Sequence, residues 1–401
     1  MNNFSRFSVF FRVMISVWAA GRLMAGGPAV SAVPSAAAEA EAGGKTLAES
    51  LENLGLLYRS DTDPVLQELW FLGRFHGQYH WSEGSNGSNE DYETRRFRIG
   101  GQARVFRNLT LHAQMVSGSD FEPFYGGFTE LWAGWKFNDA VILTVGQQKH
   151  RFTHDRNISS RYINYLERSM FTNMMGLDYT PAVTLSGKSG KWSYYGGVFS
   201  NATGTDMWQA FTELDSGWSL LATATVDLGG SLGTDTAHAT FGYLHSDARD
   251  NATNLFRYDD SVAAALIVTE GAFSVVTEAT AGFGSERGNG FSLNVQPAWY
   301  ITDKLQLATR YQFAVSDNER GLSAQRRYER PAGMSTGDLY QAAYAGLTCY
   351  VAAHRIKLMS GVEYSTLGGE DCWTASVAVR VFWGPHSKGP FPMASMLNGT
   401  Y

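Results

Sequence analysis

The sequence predicts an all-β protein, a transmembrane antiparallel β-barrel of sixteen strands. Many segments alternate apolar and polar residues with a period of two, as expected for strands with two unlike faces. Aromatic residues make up 13% of the chain and charged residues only 17%, with 43 glycines beside 10 prolines. No stretch approaches the ~20 consecutive apolar residues of a membrane helix. Because only helices and closed barrels satisfy the backbone inside lipid, these features favour a barrel.

The N-terminus has the features of an export signal. Arg6 and Arg12 supply a positive flank, Val13–Ala20 is a short apolar run, and Ala32 ends a small-residue cleavage motif. Residues 1–32 are therefore predicted to be a signal peptide that directs the rest of the chain to export.

The next segment links this signal to the barrel. Residues 33–66 combine a tether rich in Ala, Glu and Gly with a short periplasmic helix, predicted over Thr46–Tyr58 because leucines recur there at helical spacing. The barrel is predicted over residues 67–383, and residues 384–401 form a tail beyond the final strand.

One predicted strand, Glu93–Val105, has an apolar face and a cationic face. Side chains on a strand alternate between its two faces. The residues of the apolar face are Phe97, Ile99, Ala103 and Val105. The residues of the opposite face are Arg96, Arg98, Gln102 and Arg104. We expect the apolar face to contact lipid and the arginines to face a water-filled lumen; by the same alternation, Arg95 falls on the outer face.

The remaining strands follow with short turns and long loops in alternation, which is typical of outer-membrane barrels. A polar turn or loop is expected at Ser82–Asn89, and a long loop at Leu367–Asp371. An even number of strands leaves both termini on the same side of the membrane. The predicted strands are Glu68–Trp81, Glu93–Val105, Leu109–Met115, Thr129–Phe137, Val141–Gln148, Ala182–Gly187, Trp192–Phe199, Ser219–Asp227, Ala237–Asp247, Val262–Thr269, Ala272–Phe283, Phe291–Tyr300, Leu305–Val315, Leu339–Val351, Arg355–Ser365 and Trp373–Trp383.

A long interruption of this pattern, Lys149–Asp178, is rich in charged and aromatic residues. We expect it to be a loop that contains a helical turn. Loops of this length usually carry function or are disordered, and the aromatic composition favours a function.

Aromatic residues near the strand ends fit the two interfacial girdles of a membrane barrel. A barrel of sixteen strands is too wide for side chains to fill, so it leaves an aqueous channel. The candidate girdle residues are Trp81, Trp132, Trp192, Tyr243, Trp299, Tyr364 and Trp383.

The residues predicted to face the lumen include many cations. A row of guanidinium groups suits the passage of an oxyanion, because each binds it weakly and passes it on. The alternative is that charges of both signs pair with one another and stiffen the wall. The candidate lumen cations are Arg74, Arg96, Arg98, Arg104, Lys136, Arg310, Arg355, Lys357 and Arg380, and the candidate anions are Glu130, Glu278 and Glu363.

Several function classes find little support in the sequence. The net charge of −6 argues against nucleic-acid binding. Cys349 and Cys372 do not form a disulfide framework. We find no catalytic motif, metal-ligand spacing or cofactor fingerprint, so no enzyme activity, metal or cofactor is expected. Alternatives that stay open are a barrel for bulkier or neutral solutes such as oligosaccharides or aromatic acids, a barrel enzyme, and a non-membrane β-sandwich.

Four short segments resemble the phosphate-selective porins O and P. They are Arg95–Gly101, Val145–Phe152, Ser159–Ser169 and the strand pair around Ser186 and Gly197. The resemblance implies a trimeric channel of sixteen strands in the outer membrane of a Gram-negative cell, with a loop folded inward as a constriction. It also implies outer-membrane lipid as surroundings and small anions as solutes, with phosphate or polyphosphate as candidates.

The same resemblance assigns roles to individual residues. It implies that Arg95 and Arg96 line the pore together and that Lys149 and Arg151 begin the constricting loop. Arg161, Glu167 and Arg168 are implied to have a structural role within that loop.

Overall fold

The computed structural model describes residues 47–201, 206, 217–229, 231–247 and 256–385. The predicted signal peptide, the tether before residue 47, much of the two loops at 202–216 and 248–255, and the tail beyond Pro385 lie outside the described residues.

All sixteen predicted strands are confirmed, with ends that differ by a few residues. Three further short strands, at Leu56–Arg59, Leu322–Ser323 and Thr336–Gly337, were not predicted. The strands are β1 (Leu56–Arg59), β2 (Leu66–Gly84), β3 (Gly87–Val105), β4 (Leu109–Val116), β5 (Phe128–Lys136), β6 (Ile142–Lys149), β7 (Tyr179–Ser189), β8 (Trp192–Ser200), β9 (Trp218–Asp227), β10 (Thr236–Asp247), β11 (Asp260–Glu270), β12 (Phe273–Phe283), β13 (Gly290–Thr302), β14 (Leu305–Ser316), β15 (Leu322–Ser323), β16 (Thr336–Gly337), β17 (Leu339–His354), β18 (Ile356–Leu367) and β19 (Glu370–Trp383).

The barrel is closed and antiparallel throughout. Each long strand pairs with its neighbours in the chain, and β19 pairs with β2, where Val377 lies opposite Tyr79. Closure leaves no free strand edge inside a membrane. In β17 every second residue is buried and the residues between are exposed, so the outer face carries Leu347 and Val351 while Tyr340 and Tyr350 point inward. The predicted apolar exterior is confirmed.

The two ends of the barrel differ as expected. One end, the short-turn end, carries connections such as 190–191 and 271–272. The other, the long-loop end, carries loops such as 150–178 and 317–338. The polar turn expected between β2 and β3 is confirmed at Ser85–Asn86, although both strands run closer to it than predicted. The long loop predicted at Leu367–Asp371 was wrong, because this segment is a tight turn. Polar residues continue these strands because cross-strand pairing continues beyond the apolar band.

The predicted helix over Thr46–Tyr58 is shorter than expected. Within the described residues it is one turn, α1 (Leu47–Ser50), and the chain then forms β1, which pairs with β2. Gly55 ends the helical stretch because its φ of +93° is left-handed and a Cβ there would lie 2.2 Å from the carbonyl oxygen of Phe71. None of the helices in the described ranges has the length and apolar character needed to cross a membrane.

The aromatic girdle is confirmed only in part. Trp81, Trp192, Tyr243 and Trp299 are exposed on the outer face. Trp132 was wrongly placed in the girdle: it is buried in the lumen, with its ring stacked on His112 at 4.9 Å between ring centres. Strand alternation alone puts Trp132 inward, on the same face as Glu130.

Two long loops fold into the barrel at the long-loop end. The constriction loop, residues 150–178, contains the helices α2 (His154–Asn157) and α3 (Met170–Met174), so the predicted helical turn is confirmed. The second inward loop, residues 317–338, contains the hairpin of β15 and β16. Together with the wall they bury apolar residues such as Phe152, Phe171, Leu322 and Met334.

Candidate functional site

The constriction loop is fixed to the far wall of the barrel by hydrogen bonds to its backbone. The carboxylate of Glu278 on β12 accepts hydrogen bonds from the backbone N–H groups of His154 and Asp155, at the start of α2. The side chain of Gln312 on β14 accepts one from the N–H of Met170, 2.8 Å away. Both contacts satisfy donors that a helix start leaves unpaired.

Three wall cations donate to carbonyl oxygens of the same loop. Arg310 Nη1 lies 2.8 Å from Glu167 O, Lys357 Nζ lies 2.8 Å from Ile163 O, and Arg380 Nη2 lies 2.8 Å from Leu166 O. Arg310 also pairs with Glu363 at 2.8 Å. Arg310 and Arg380, which were predicted to line the pore, therefore lie behind the constriction loop and hold it.

The loop is thus packed on one side of the lumen, against β12, β14, β18 and β19. A cavity of about 260 Å³ is left on the other side, along β2 to β7. Its described lining holds nine cationic side chains and two carboxylates, Glu130 and Asp178. The cations are Arg74, Arg95, Arg96, Arg98, Lys149, Arg151, Arg156, Arg161 and Arg168.

A β-bulge brings two consecutive arginines to this cavity. In the pairing of β2 with β3, Arg96 lies opposite His76 but Thr94 lies opposite Gly77, so Arg95 is the extra residue. A bulge reverses the alternation locally and redirects the side chain. Strand alternation placed Arg95 on the outer face; the bulge turns it inward, where the resemblance implied it would be.

Arg95 forms an ion pair with the constriction loop. Its Nη2 lies 2.5 Å from Glu167 Oε1 in the constriction loop, and Arg96 Nη2 lies 3.9 Å from the same oxygen. Burial acts to raise the pKa of Glu167, but the positive charges of Arg95 and Arg96 outweigh it and lower that pKa to about 2. The pair therefore ties the loop to β3 with a charged carboxylate at any ordinary pH.

Several cations of the cavity, by contrast, are held by neutral oxygen atoms. Arg74 Nη1 donates to Ser160 Oγ at 2.8 Å and its Nη2 to Gln114 Oε1 at 3.3 Å. Arg161 Nη1 donates to the carbonyl oxygen of Pro385 at 3.0 Å. Neutral acceptors fix a guanidinium group without cancelling its charge, so the field of these arginines remains available to a solute.

The same holds for Lys149, the last residue of β6, and for Arg168 within the constriction loop. Lys149 Nζ donates to the carbonyl oxygens of Asn157 and Ile158 at 3.3 and 3.2 Å. Arg168 donates to the carbonyl oxygens of Asp155 and Ile158, both at 2.9 Å.

The strand that leads to Lys149 requires a glycine at position 146. Gly146 has a φ of +120°, and a Cβ there would lie 2.3 Å from Leu131 O.

Aromatic rings hold three further arginines. The guanidinium carbons of Arg98 and Arg156 lie 5.3 and 5.1 Å from the ring centre of Tyr179, and that of Arg151 lies 5.8 Å from Tyr195. Arg151 also forms an ion pair with Glu130, with its Nη2 3.8 Å from Glu130 Oε1. The lining of the cavity thus keeps a large excess of positive charge.

Two residues predicted in the pore lie elsewhere, near the short-turn end. Arg104 is partly exposed and lies 3.6 Å from Glu68, and Lys136 pairs with Asp139 at 2.6 Å at the end of β5.

Arg156 lines the cavity but was not predicted from the sequence. It lies in a loop, where no strand alternation indicates direction, although the charged composition of Lys149–Asp178 marked the segment.

The second inward loop packs against the constriction loop and the wall at the long-loop end. Gln325 Nε2 donates to Arg168 O at 3.2 Å, and Asn173 donates to Gln325 Oε1 at 3.1 Å, so the two inward loops are joined. Arg327 pairs with Glu93, and Gln78 donates to Tyr328 at 3.0 Å. The sequence predicted a long loop here but not its inward course.

A buried carboxyl group anchors this second loop. Glu329 accepts from Tyr340 Oη at 2.7 Å and from the backbone N–H of Gln325 at 2.6 Å. Burial and the nearby carboxylate of Glu363 raise the pKa of Glu329 to about 7.

Within the ranges that the structure describes, no three His, Cys, Asp or Glu side chains come together as a metal ion would require.

Comparison with known proteins agrees with this architecture. Residues 72–227 match the family model described as phosphate-selective porin O and P, which confirms the resemblance over that part of the chain. No curated protein matches the chain in sequence.

Solved outer-membrane barrels share the fold at low sequence identity. OprB of Pseudomonas putida superimposes with a TM-score of 0.59 at 11% identity, covering 79% of this chain and 94% of that one. OmpF of Salmonella typhi gives 0.56 at 13% identity, with 81% and 99% covered. OmpT of Vibrio cholerae, solved in a trimer form, gives 0.50 at 13% identity, with 79% and 99% covered.

Proposed function

We propose that small anions are the preferred solutes of this outer-membrane channel of the Gram-negative type. Residues 72–227 match the phosphate-selective porin O and P family, and the barrel is closed. Diffusion is passive, and the barrel performs no enzymatic chemistry. Phosphate and polyphosphate are candidate solutes.

One observation carries this proposal: the cavity beside the constriction loop has nine cations and two carboxylates in its described lining. Rings of Arg and Lys are the expected lining of anion and phosphate pores. The same positive field repels a cation that enters. Selectivity therefore follows from the sign of the charge that lines this cavity.

The partners of these cations favour transport over permanent binding. A solute must bind strongly enough to enter and weakly enough to leave. Arg74, Arg161 and Lys149 already donate some of their hydrogen bonds to protein oxygens. Nε of Arg74 and Nη1 of Arg96 have no hydrogen-bond partner among the described residues. These cations therefore do not offer a solute their full set of donors.

The alternative solute class is neutral sugars or aromatic acids. Trp132 and Tyr179 line the cavity, but Trp132 is stacked on His112 and Tyr179 is in contact with two arginines. Both rings have protein partners, which makes a free stacking surface for sugars less suitable here than an anion path.

Uptake into proteoliposomes separates these solute classes. Rates would be compared for an organic anion, a neutral sugar and an organic cation of similar size, with empty liposomes as the control. Faster entry of the anion supports the proposal. Equal rates for the anion and the sugar would instead indicate a general channel, and faster entry of the cation would reject the proposal.

We also propose that the channel is a homotrimer whose signal peptide, residues 1–32, is removed on export. The trimer form of the Vibrio cholerae barrel of the same fold supports the first part. Cross-linking in native outer membranes would test it, with a ladder that ends at three subunits as the expected result. N-terminal sequencing of the mature protein tests the second part.

A further inference from the structure

We propose that Tyr179 determines how strongly the constriction prefers anions, because it holds Arg98 and Arg156 in the cavity without cancelling their charge. Tyr179 is a positioning residue that acts through these two arginines. The inference rests on the proposed function, since it concerns the same cavity, and it names a residue for which neither strand alternation nor the family resemblance gave a role.

Tyr179 stands where three parts of the site meet. It is the first residue of β7, at the point where the constriction loop returns to the wall, and it lies opposite Lys149 in the pairing of β6 with β7. Arg98 comes from β3 and Arg156 from α2. All three side chains line the cavity. A single ring therefore joins a cation of the wall to a cation of the loop.

The contacts on both arginines are close. The guanidinium carbons of Arg98 and Arg156 lie 5.3 and 5.1 Å from the ring centre, within the range of cation–π attraction. Arg98 Nη1 also donates a hydrogen bond to Tyr179 Oη, 3.0 Å away. The ring thus offsets part of the repulsion between two like charges that the cavity brings together.

A neutral ring has an advantage over a carboxylate at this position. A carboxylate in contact with Arg98 and Arg156 would form ion pairs and remove positive charge from the path. A tyrosine face restrains the groups and leaves their net charge intact. Nε of Arg98 and Nε of Arg156 are buried and have no hydrogen-bond partner in the described part of the chain, so no protein carboxylate is bound to either atom.

The neighbouring carboxylate does not take over this role. Asp178 Oδ1 lies 3.8 Å from Arg156 Nη2, but the Asp178 side chain is 65% exposed. Water screens exposed ion pairs strongly. Arg98 has its closest contact with Tyr179, so the tyrosine is the residue common to both arginines.

The test is a double-mutant cycle read as zero-current potentials in planar bilayers between unequal KCl solutions. Tyr179→Phe keeps the ring, whereas Tyr179→Leu and Tyr179→Met remove it. Each is measured in the wild-type channel and in an Arg98→Gln/Arg156→Gln background. Tyr243→Leu is the control, because Tyr243 faces outward on β10, where its hydroxyl group donates to Asp260.

We expect Tyr179→Phe and Tyr243→Leu to keep most of the wild-type anion preference. Tyr179→Leu should lower the chloride-to-potassium permeability ratio about two- to five-fold, as expected for loss of a cation–π contact. In the background that lacks both arginines, the same substitution should have no further effect.

Three results would overturn the inference: an unchanged ratio in Tyr179→Leu, an equal fall in both backgrounds, or a failure of both Tyr179→Leu and Tyr179→Met to fold. The last result would make Tyr179 a folding residue. If only Tyr179→Leu fails to fold, Tyr179→Met decides by the same readout. A wild-type channel without anion preference would reject the proposed function itself, which distinguishes the two failures.

Discussion

Arg95 Nη2 and Glu167 Oε1 lie 2.5 Å apart, and this pair joins the bulged strand β3 to the constriction loop. The pair exists because the bulge in β3 turns Arg95 into the lumen. It fixes the loop on the side that faces the cavity, while Arg310, Lys357 and Arg380 fix it on the opposite side. The constriction is therefore held from two sides by cations.

Removing the carboxylate of this pair should loosen the loop. Glu167→Gln leaves Arg95 and Arg96 without their anion, and we expect it to cost about 1–3 kcal/mol of stability, below the value for a fully buried pair because the Arg95 side chain is 18% exposed. Thermal unfolding, followed by the change in gel migration on heating, measures the effect. Arg59→Gln breaks the exposed Arg59–Glu68 pair and serves as the control, with a cost under about 1 kcal/mol. Equal melting temperatures for the two variants would contradict the role of Glu167.

The folded environment also predicts how this pair responds to acid. Because Arg95 and Arg96 lower the pKa of Glu167 to about 2, its contribution is complete above the ordinary value near 4.5. That contribution is lost as the pH falls through about 2. We expect the wild-type melting temperature to fall more steeply below pH 4.5 than that of Glu167→Gln. Parallel acid profiles for the two proteins would be inconsistent with the pair.

Cations that hold the loop and cations that face the solute should differ in what they control. Arg96→Gln removes a cavity charge, so it should lower the chloride-to-potassium ratio about two- to five-fold with little change in conductance. Arg380→Gln removes donors to the loop carbonyl groups and should broaden the conductance distribution while the ratio changes little. Single-channel recordings in symmetric and asymmetric KCl measure both quantities. The assignment fails if Arg380→Gln alters selectivity as much as Arg96→Gln does.

At one position, the neutral partner of a pore cation can be replaced by a carboxylate. Ser160 Oγ accepts from Arg74 Nη1 at 2.8 Å. Ser160→Asp places a carboxylate there and should lower the anion preference several-fold, whereas Ser160→Asn has a similar shape and should preserve it. Zero-current potentials of the two variants provide the comparison. If both variants keep the wild-type ratio, Arg74 lies outside the conduction path.

Glu329 predicts that the second inward loop loosens as the pH rises toward neutrality. Its pKa of about 7 in the docked loop lies above the ordinary 4.5, so docking is strongest at low pH and weakens as the pH rises toward about 7. The difference corresponds to about 3 kcal/mol of docking free energy. The groups that face it are Glu363, Tyr340, Gln325 and Ser365.

Hydrogen exchange of residues 322–337 would measure this loosening. Exchange should speed up between pH 5 and 8, after correction for intrinsic rates, in the wild type. Glu329→Gln cannot ionise and should remain protected over the whole range. A wild-type loop with the same protection at both pH values would contradict the prediction.

Much of the barrel could be predicted because its information is local. Alternation along each strand decides which residues meet lipid, so the strand number and the inward direction of Arg74, Arg96 and Arg98 followed from the sequence. The bulge at Arg95 depends on the register between β2 and β3, which no single strand reveals. The family resemblance implied the correct direction of Arg95, because it implies that Arg95 and Arg96 line the pore together.

The roles of the lumen cations could not be divided from the sequence. Arg310 and Arg380 satisfy the same alternation as Arg96, yet they hold the constriction loop because the loop packs against β14 and β19. That packing depends on contacts between residues more than one hundred positions apart. The inward course of the loop at 317–338 likewise depends on tertiary partners such as Gln78 and Tyr340.

The central claim is that the cationic cavity gives the channel a preference for anions. The zero-current potential of the wild-type channel across a KCl gradient tests it most directly. The account predicts a potential whose sign is set by chloride, and a smaller potential when Arg96 is replaced by Gln. A potential set by potassium, or none at all, would contradict the account.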